Sequence, residues 1–146
     1  MIKINRRGPQ IDEGHIAEIE ASIGKKLPAS YKAFLLQENG GIPAPDTIDI
    51  EPAPGSPTDV QMIFGLGRDP KSSDLSWNID LISKRFPKYR LLPVACDSGG
   101  NLFCLDLFRE FSGGIIYCDL SSPHVAFYEV APTFESFLGK IRDWRQ

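Results

Sequence analysis

Four side chains able to bind a soft metal or attack a carbonyl fall in the second half of the chain: Cys96, Cys104, Cys118 and His124. Their separations of seven, thirteen and five residues contain no Cys-x2-Cys knuckle, so the spacing does not read as a zinc site. A thiol nucleophile needs an imidazole beside it, and only His15 and His124 are available, in two different predicted elements. An odd number of cysteines in apolar, strand-like surroundings reads instead as buried, reduced thiols in a cytoplasmic protein. Asp97, Asp106 and Asp119 come from successive predicted strands, and paired carboxylates facing each other across a cleft would suit glycoside hydrolysis. However, Asp97 opens an Asp-Ser-Gly-Gly turn and the other two lie near strand ends, where structural roles suffice. The backbone of Ser98-Gly99-Gly100 can cradle an anion, but it lacks the lysine and following helix of a phosphate loop. The expectation is a protein without catalytic residues, metal or cofactor.

The elements that would position these groups are legible from periodicity and caps. Asp12 caps a helix reaching Ile23, with Ile16, Ile19 and Ile23 on one stripe and Gly24 as a left-handed stop. Pro28 fits the first turn of a second helix carrying Tyr31, Phe34 and Leu35, which ends on Asn39-Gly40-Gly41. Residues 59–66 read as a strand. Asp74 caps a third helix whose face holds Leu75, Ile79, Ile82 and Phe86, closed by Pro87. From residue 91 the pattern becomes a meander, with strands at 91–97, 101–108, 115–119 and 125–130 and glycine turns between them. These strands are nearly solid in apolar residues, which predicts a sheet covered on both faces. A final helix follows Pro132, capped by Thr133, with Phe134, Phe137, Leu138 and Ile141 at helical spacing. The expected fold class is α+β: a central antiparallel meander with two N-terminal helices, a middle helix and a C-terminal helix packed on it, forming one domain over residues 1–146.

Composition narrows the function. With 146 residues, 42% of them hydrophobic, the chain can bury a proper core, and no apolar run approaches the length of a membrane helix. The N-terminal residues are basic without a hydrophobic stretch behind them, unlike a secretory signal. A net charge of −3 argues against direct nucleic-acid binding and favours a basic protein partner. The charge is uneven: residues 41–67 hold Asp46, Asp49, Glu51 and Asp59 and no lysine or arginine, whereas 70–90 is comparatively basic. The acidic stretch also carries Pro43, Pro45, Pro52, Pro54 and Pro57, so it reads as a long surface loop with an edge strand at 47–50. Its apolar neighbours Ile42, Ile48, Ile50 and Met62 would supply contact area around charges that steer a partner.

The order of several short phrases carries more than any one of them. Ile23-Gly24, Leu27-Pro28, Tyr31, Phe34-Leu35 and Asn39-Gly40-Gly41 come first. The strand at 62–66 follows, then Leu92-Pro93-Val94-Ala95 with Asp97 and Gly99-Gly100-Asn101. Ile115-Ile116-Tyr117, Val130-Ala131, Phe134, Phe137 and Leu138 complete the set. Over residues 11–141 this series resembles the SUKH superfamily, whose founding branch is the fungal cell-wall-assembly regulator (SMI/KNR-like) family. The resemblance implies an α+β binding scaffold with no catalytic residues to transfer. It also implies, for a stand-alone domain, the bacterial branch of immunity proteins that neutralise polymorphic toxins, often nucleases. The matching positions are caps, turns and core, so they indicate fold and leave the contact surface open.

The expected function is therefore a cytoplasmic immunity protein bound to a cognate toxin domain, with a regulatory or scaffold domain acting on the cell's own proteins as the alternative. Asp46, Asp49, Glu51 and Asp59 are the expected charge contacts, and Ile48, Trp77 and Tyr117 the expected anchors.

Overall fold

A computed structural model describes residues 2–107, 114–121 and 123–146. Helix α1 spans Glu13–Ile23. The Asp12 carboxylate accepts the His15 backbone N–H at 3.1 Å, and the His15 ring accepts the Asp12 N–H at 3.2 Å, so this histidine serves a helix start. Gly24, at φ 73°, supplies the left-handed stop. Helix α2 runs Ala29–Gln37, with Pro28 immediately before its first turn. It ends where Asn39 takes φ 49° and Gly40 φ 84°.

Asn39 is more than a terminator. Its side chain donates to the carbonyls of Pro9 and Leu66 and accepts the Leu66 N–H, all within 2.7–2.8 Å. It thereby joins the N-terminal segment, the end of α2 and the chain leading to the third helix. Gly65 lies against the Asn39 backbone so closely that a Cβ there would collide with it.

The main sheet is a five-stranded antiparallel meander in sequential order: β5 Met62–Ile63, β6 Leu92–Cys96, β7 Leu102–Leu105, β8 Ile115–Asp119 and β9 Ala126–Ala131. Two small pairs stand beside it. β1 Lys3–Asn5 joins β2 Ile42–Ala44, and β3 Thr47–Ile48 joins β4 Thr58–Asp59. The continuous strand expected at 59–66 is thus two short ones. Residues 58–59 pair with β3 and 62–63 pair with β6, so the partner changes at Val60–Gln61 and the ladder breaks there.

On one face of the sheet, Phe103 contacts Tyr117 and Phe137, and Phe134 stacks against Tyr31, Phe34 and Phe137. This aromatic layer seats α2 and helix α4 (Phe134–Gly139), whose Thr133 cap accepts the Ser136 N–H. Helix α3, Leu75–Arg85, is capped by Asp74 and packs on β6. Of the three inner strands, β6 and β7 are largely buried, but the edge strand β9 exposes Phe127 and Glu129, so coverage of both faces does not extend to the sheet's edge. The fold is α+β. The expected turn at Gly113-Gly114 and the end of the strand at residue 108 lie partly outside the described residues. Among those residues, no helix is long and apolar enough to cross a membrane.

Candidate partner-binding surface

Proline density in residues 42–59 suggested a solvated loop, and this is the main correction the structure makes. Ile48, Ile50, Ala53 and Val60 are buried in the principal core. The prolines prevent long strands, but the segment still inserts an apolar side chain every few residues, so hydrophobic burial anchors it to the core. Ile48 has no exposed surface and is a core residue, not an anchor for a partner.

Three connections tie the segment down. First, β3 exchanges backbone hydrogen bonds with Arg142 in both directions, at 2.7 and 3.0 Å. Second, the Arg142 guanidinium grips the Asp49 carboxylate with Nε and Nη2 at 2.8 and 2.9 Å, the forked geometry that makes such pairs directional. That contact holds the Asp49 carboxyl below the ordinary carboxylate range, against a smaller opposing effect of burial. Third, β4 is fastened to the turn after β6. The Asp97 carboxylate, 2% exposed, accepts the hydroxyls of Thr58 (2.9 Å) and Tyr117 (2.5 Å). It also accepts the backbone N–H groups of Gly99 and Asn101 and the Asn101 amide. Next to it, Asp59 accepts the Ser98 N–H at 2.8 Å and the Ser98 hydroxyl.

Asp97 is therefore a structural hub. Tyr117, expected as an anchor, is a core residue 5% exposed whose hydroxyl serves that hub. Burial, then the bond to Asp97, drives its ionisation far upward.

What the segment presents outward is acidic. Asp46 and Glu51 are exposed, Asp49 is exposed but paired with Arg142, and Asp59 is half-buried and engaged with the Ser98 turn. Glu51 and Asp49 line a groove of about 380 Å³ with Glu129, Val130 and Lys140. The backbone that Arg142 ties to this segment carries a residue that sequence reasoning missed. Trp144 is 75% exposed, the most exposed large apolar side chain among the described residues. Arg142 Nη1 donates to the carbonyls of Asp143 and Trp144 at 3.0 and 3.3 Å, so the arginine that binds Asp49 also orders the backbone carrying the tryptophan. The signal was present in the order Arg142-Asp143-Trp144 beyond the last amphipathic helix, but nothing in it showed which side of the molecule that tail would join. Trp77 is 40% exposed on α3 and has no described contact with the acidic segment.

The thiols are not poised for reaction. Cys104 and Cys118 are buried with their sulfurs 3.6 Å apart, and the Cys118 hydrogen bond, followed by burial, drives the Cys104 thiol well above its ordinary range. Burial, then the Asp97 and Asp59 charges, pushes Cys96 up to about 11. Cys96 and Cys104 therefore stay protonated at neutral pH, whereas nucleophilic attack and metal binding require the thiolate. Among the described residues, no group of histidine, cysteine and carboxylate side chains is arranged to hold a metal ion.

The model of the SMI1/KNR4 family (SUKH-1) matches residues 10–140. An SPbeta prophage-derived uncharacterized protein of Bacillus subtilis (strain 168), YokK, is 32% identical over 156 aligned positions that cover 94% of this chain and 78% of that protein.

Proposed function

The chain belongs to the SMI1/KNR4 (SUKH-1) family, and on that premise we propose that it is a non-enzymatic immunity protein. It binds a cognate toxin domain in the cytoplasm and blocks the toxin's active site or substrate groove. The observation that carries this reading is the acidic segment itself: exposed Asp46 and Glu51 on a backbone clamped by Asp97, Asp59 and Arg142, beside exposed Trp144. A surface already ordered before binding loses little conformational freedom on association. Its carboxylates complement a basic groove of the kind that receives phosphate, and Trp144 supplies the apolar anchor typical of binding hot spots. The prophage origin of the Bacillus subtilis relative supports the reading, because mobile elements are a natural setting for genes that decide competition between cells.

The test is to capture the tagged protein from its native cells in moderate salt and identify a one-to-one partner. That partner is then expressed alone and together with this chain. A partner that stops growth alone and is harmless in the pair supports immunity. A housekeeping partner would move the assignment to a regulatory scaffold.

A further inference from the structure

Strands β7 and β8 carry a thiol pair for which the proposed function has no use. Their register sets Leu102 opposite Cys118 and Cys104 opposite Ile116. Alternation along a strand then puts Cys104 and Cys118 on one face of the sheet, diagonally across the ladder. The contact between Phe103 and Tyr117 lies on the other face. The two sulfurs touch at 3.6 Å, and the residues are 0% and 2% exposed. The third thiol stands apart: Cys96, partly exposed, directs its sulfur to the Gln61 amide oxygen at 3.7 Å. Directly across from Cys118 is Phe127 of β9, half-exposed, so the strand that shields Cys118 is itself the edge of the sheet.

We propose that Cys104 and Cys118 are a reversible oxidation site, closing to a disulfide that locks β7 to β8 when the protein meets a peroxide. The chemistry balances with hydrogen peroxide as the two-electron oxidant. One thiol, ionised as the edge of the sheet opens, attacks a peroxide oxygen. The O–O bond breaks, a sulfenic acid forms, and hydroxide leaves as water with that thiol's proton. The second sulfur then attacks the first, the S–O bond breaks, and a second water departs with the remaining thiol proton. Two thiols and one peroxide thus become one disulfide and two waters, and a dithiol reductant reverses the step by exchange. The sulfurs must approach by about 1.5 Å to reach bonding distance, a movement divided between two side chains and two strands. The bond from Cys118, with burial, keeps Cys104 protonated in the closed structure. Oxidation therefore waits on local opening and is slow, whereas the contact between the sulfurs favours the second step. The ring so formed encloses residues 105–117, and cross-linking such a loop removes freedom from the unfolded chain. Tyr117, next to Cys118, donates its hydroxyl to Asp97, so the bridge also fixes the strand that supports the acidic segment.

The test exposes the reduced, folded protein to excess hydrogen peroxide and follows it by intact mass and peptide mapping. The expected product is a monomer lighter by about 2 Da, with Cys104 joined to Cys118, that regains its first mass in dithiothreitol. Cys96→Ser should give the same bridge, and Cys118→Ser should give none. Mapping of the wild-type chain carries the test if Cys118→Ser fails to fold. The bridged chain should unfold at a higher urea midpoint than the reduced one. Oxygen added at Cys96 while Cys104 and Cys118 stay free to alkylate after unfolding would overturn the proposal. A bridge between two chains, or a Cys104–Cys118 bond that forms only once urea has unfolded the protein, would overturn it too. So would a bridged chain whose urea midpoint falls.

Discussion

Asp49 and Arg142 stand 93 positions apart in sequence and meet in a two-pronged ion pair at 2.8 and 2.9 Å. The pair closes the acidic segment onto the chain that follows α4, and the same guanidinium holds the backbone of Trp144. The charged and apolar parts of the proposed binding surface therefore share one fastening.

That fastening has a pH signature. The Asp49 carboxyl titrates below its ordinary range because Arg142 hydrogen-bonds its charged form. Its contribution to stability is present above the unfolded carboxyl's value of about 4 and is lost as pH falls through the lower folded value. The protection of the backbone amides in residues 46–59, taken relative to intrinsic exchange at each pH, should fall in acid in the wild type. In Arg142→Ala it should already be low at neutral pH. Equal protection in the two proteins at neutral pH would contradict the tether.

Asp97 is the costlier position to disturb. Ala in its place strands the Thr58 and Tyr117 hydroxyls and the donors of Gly99 and Asn101. Buried donors left without acceptors cost about 1–3 kcal/mol each where water cannot reach them, so a loss of about 3 kcal/mol in urea unfolding is expected. A loss below about 1 kcal/mol would show that the hub is wet and replaceable.

The opposite sign is expected at Tyr31. Its ring is fully buried against Phe134, yet its hydroxyl has no hydrogen-bond partner among the described residues. Tyr31→Phe removes an unsatisfied oxygen while keeping the ring contacts, and should stabilise the protein by about 1 kcal/mol, read as a raised urea midpoint at constant slope.

The aspartates that cap α1 and α3, the threonine that caps α4 and the glycine stops were readable from sequence because each acts on its own neighbours. Contacts between distant segments were not. Pro43 to Pro57 announced a loop by local rules, while the burial of Ile48, Ile50 and Ala53 depends on a core assembled from elsewhere. Ile48 and Tyr117 read equally well as anchors or as core in the sequence, because the residue types that make binding hot spots are the ones that fill a core, and only their burial separates the two. Met62 was expected in one strand with Asp59, but that strand changes partner between them. Trp144 lies beyond the last periodic element, and the long-range contacts of Arg142 with Thr47 and Asp49 reveal where its backbone stands.

The proposed surface divides its labour between rate and lifetime. Asp46→Lys with Glu51→Lys alters exposed charges with no role in the core, so folding should persist while association with the toxin slows and loses its salt dependence. Trp144→Ala should act mainly on dissociation and cost at least about 2 kcal/mol of binding energy. Stopped-flow association across a salt series separates the two, and identical association rates for wild type and the charge variant would remove the acidic segment from the interface.

The most direct measurement is growth. Cells expressing the captured partner are given the wild-type chain or the Asp46→Lys, Glu51→Lys, Trp144→Ala variant, at matched levels of folded protein. The account predicts protection by the wild type and death with the variant. Equal protection by both would contradict the surface assigned here, and a partner harmless without either chain would contradict immunity itself.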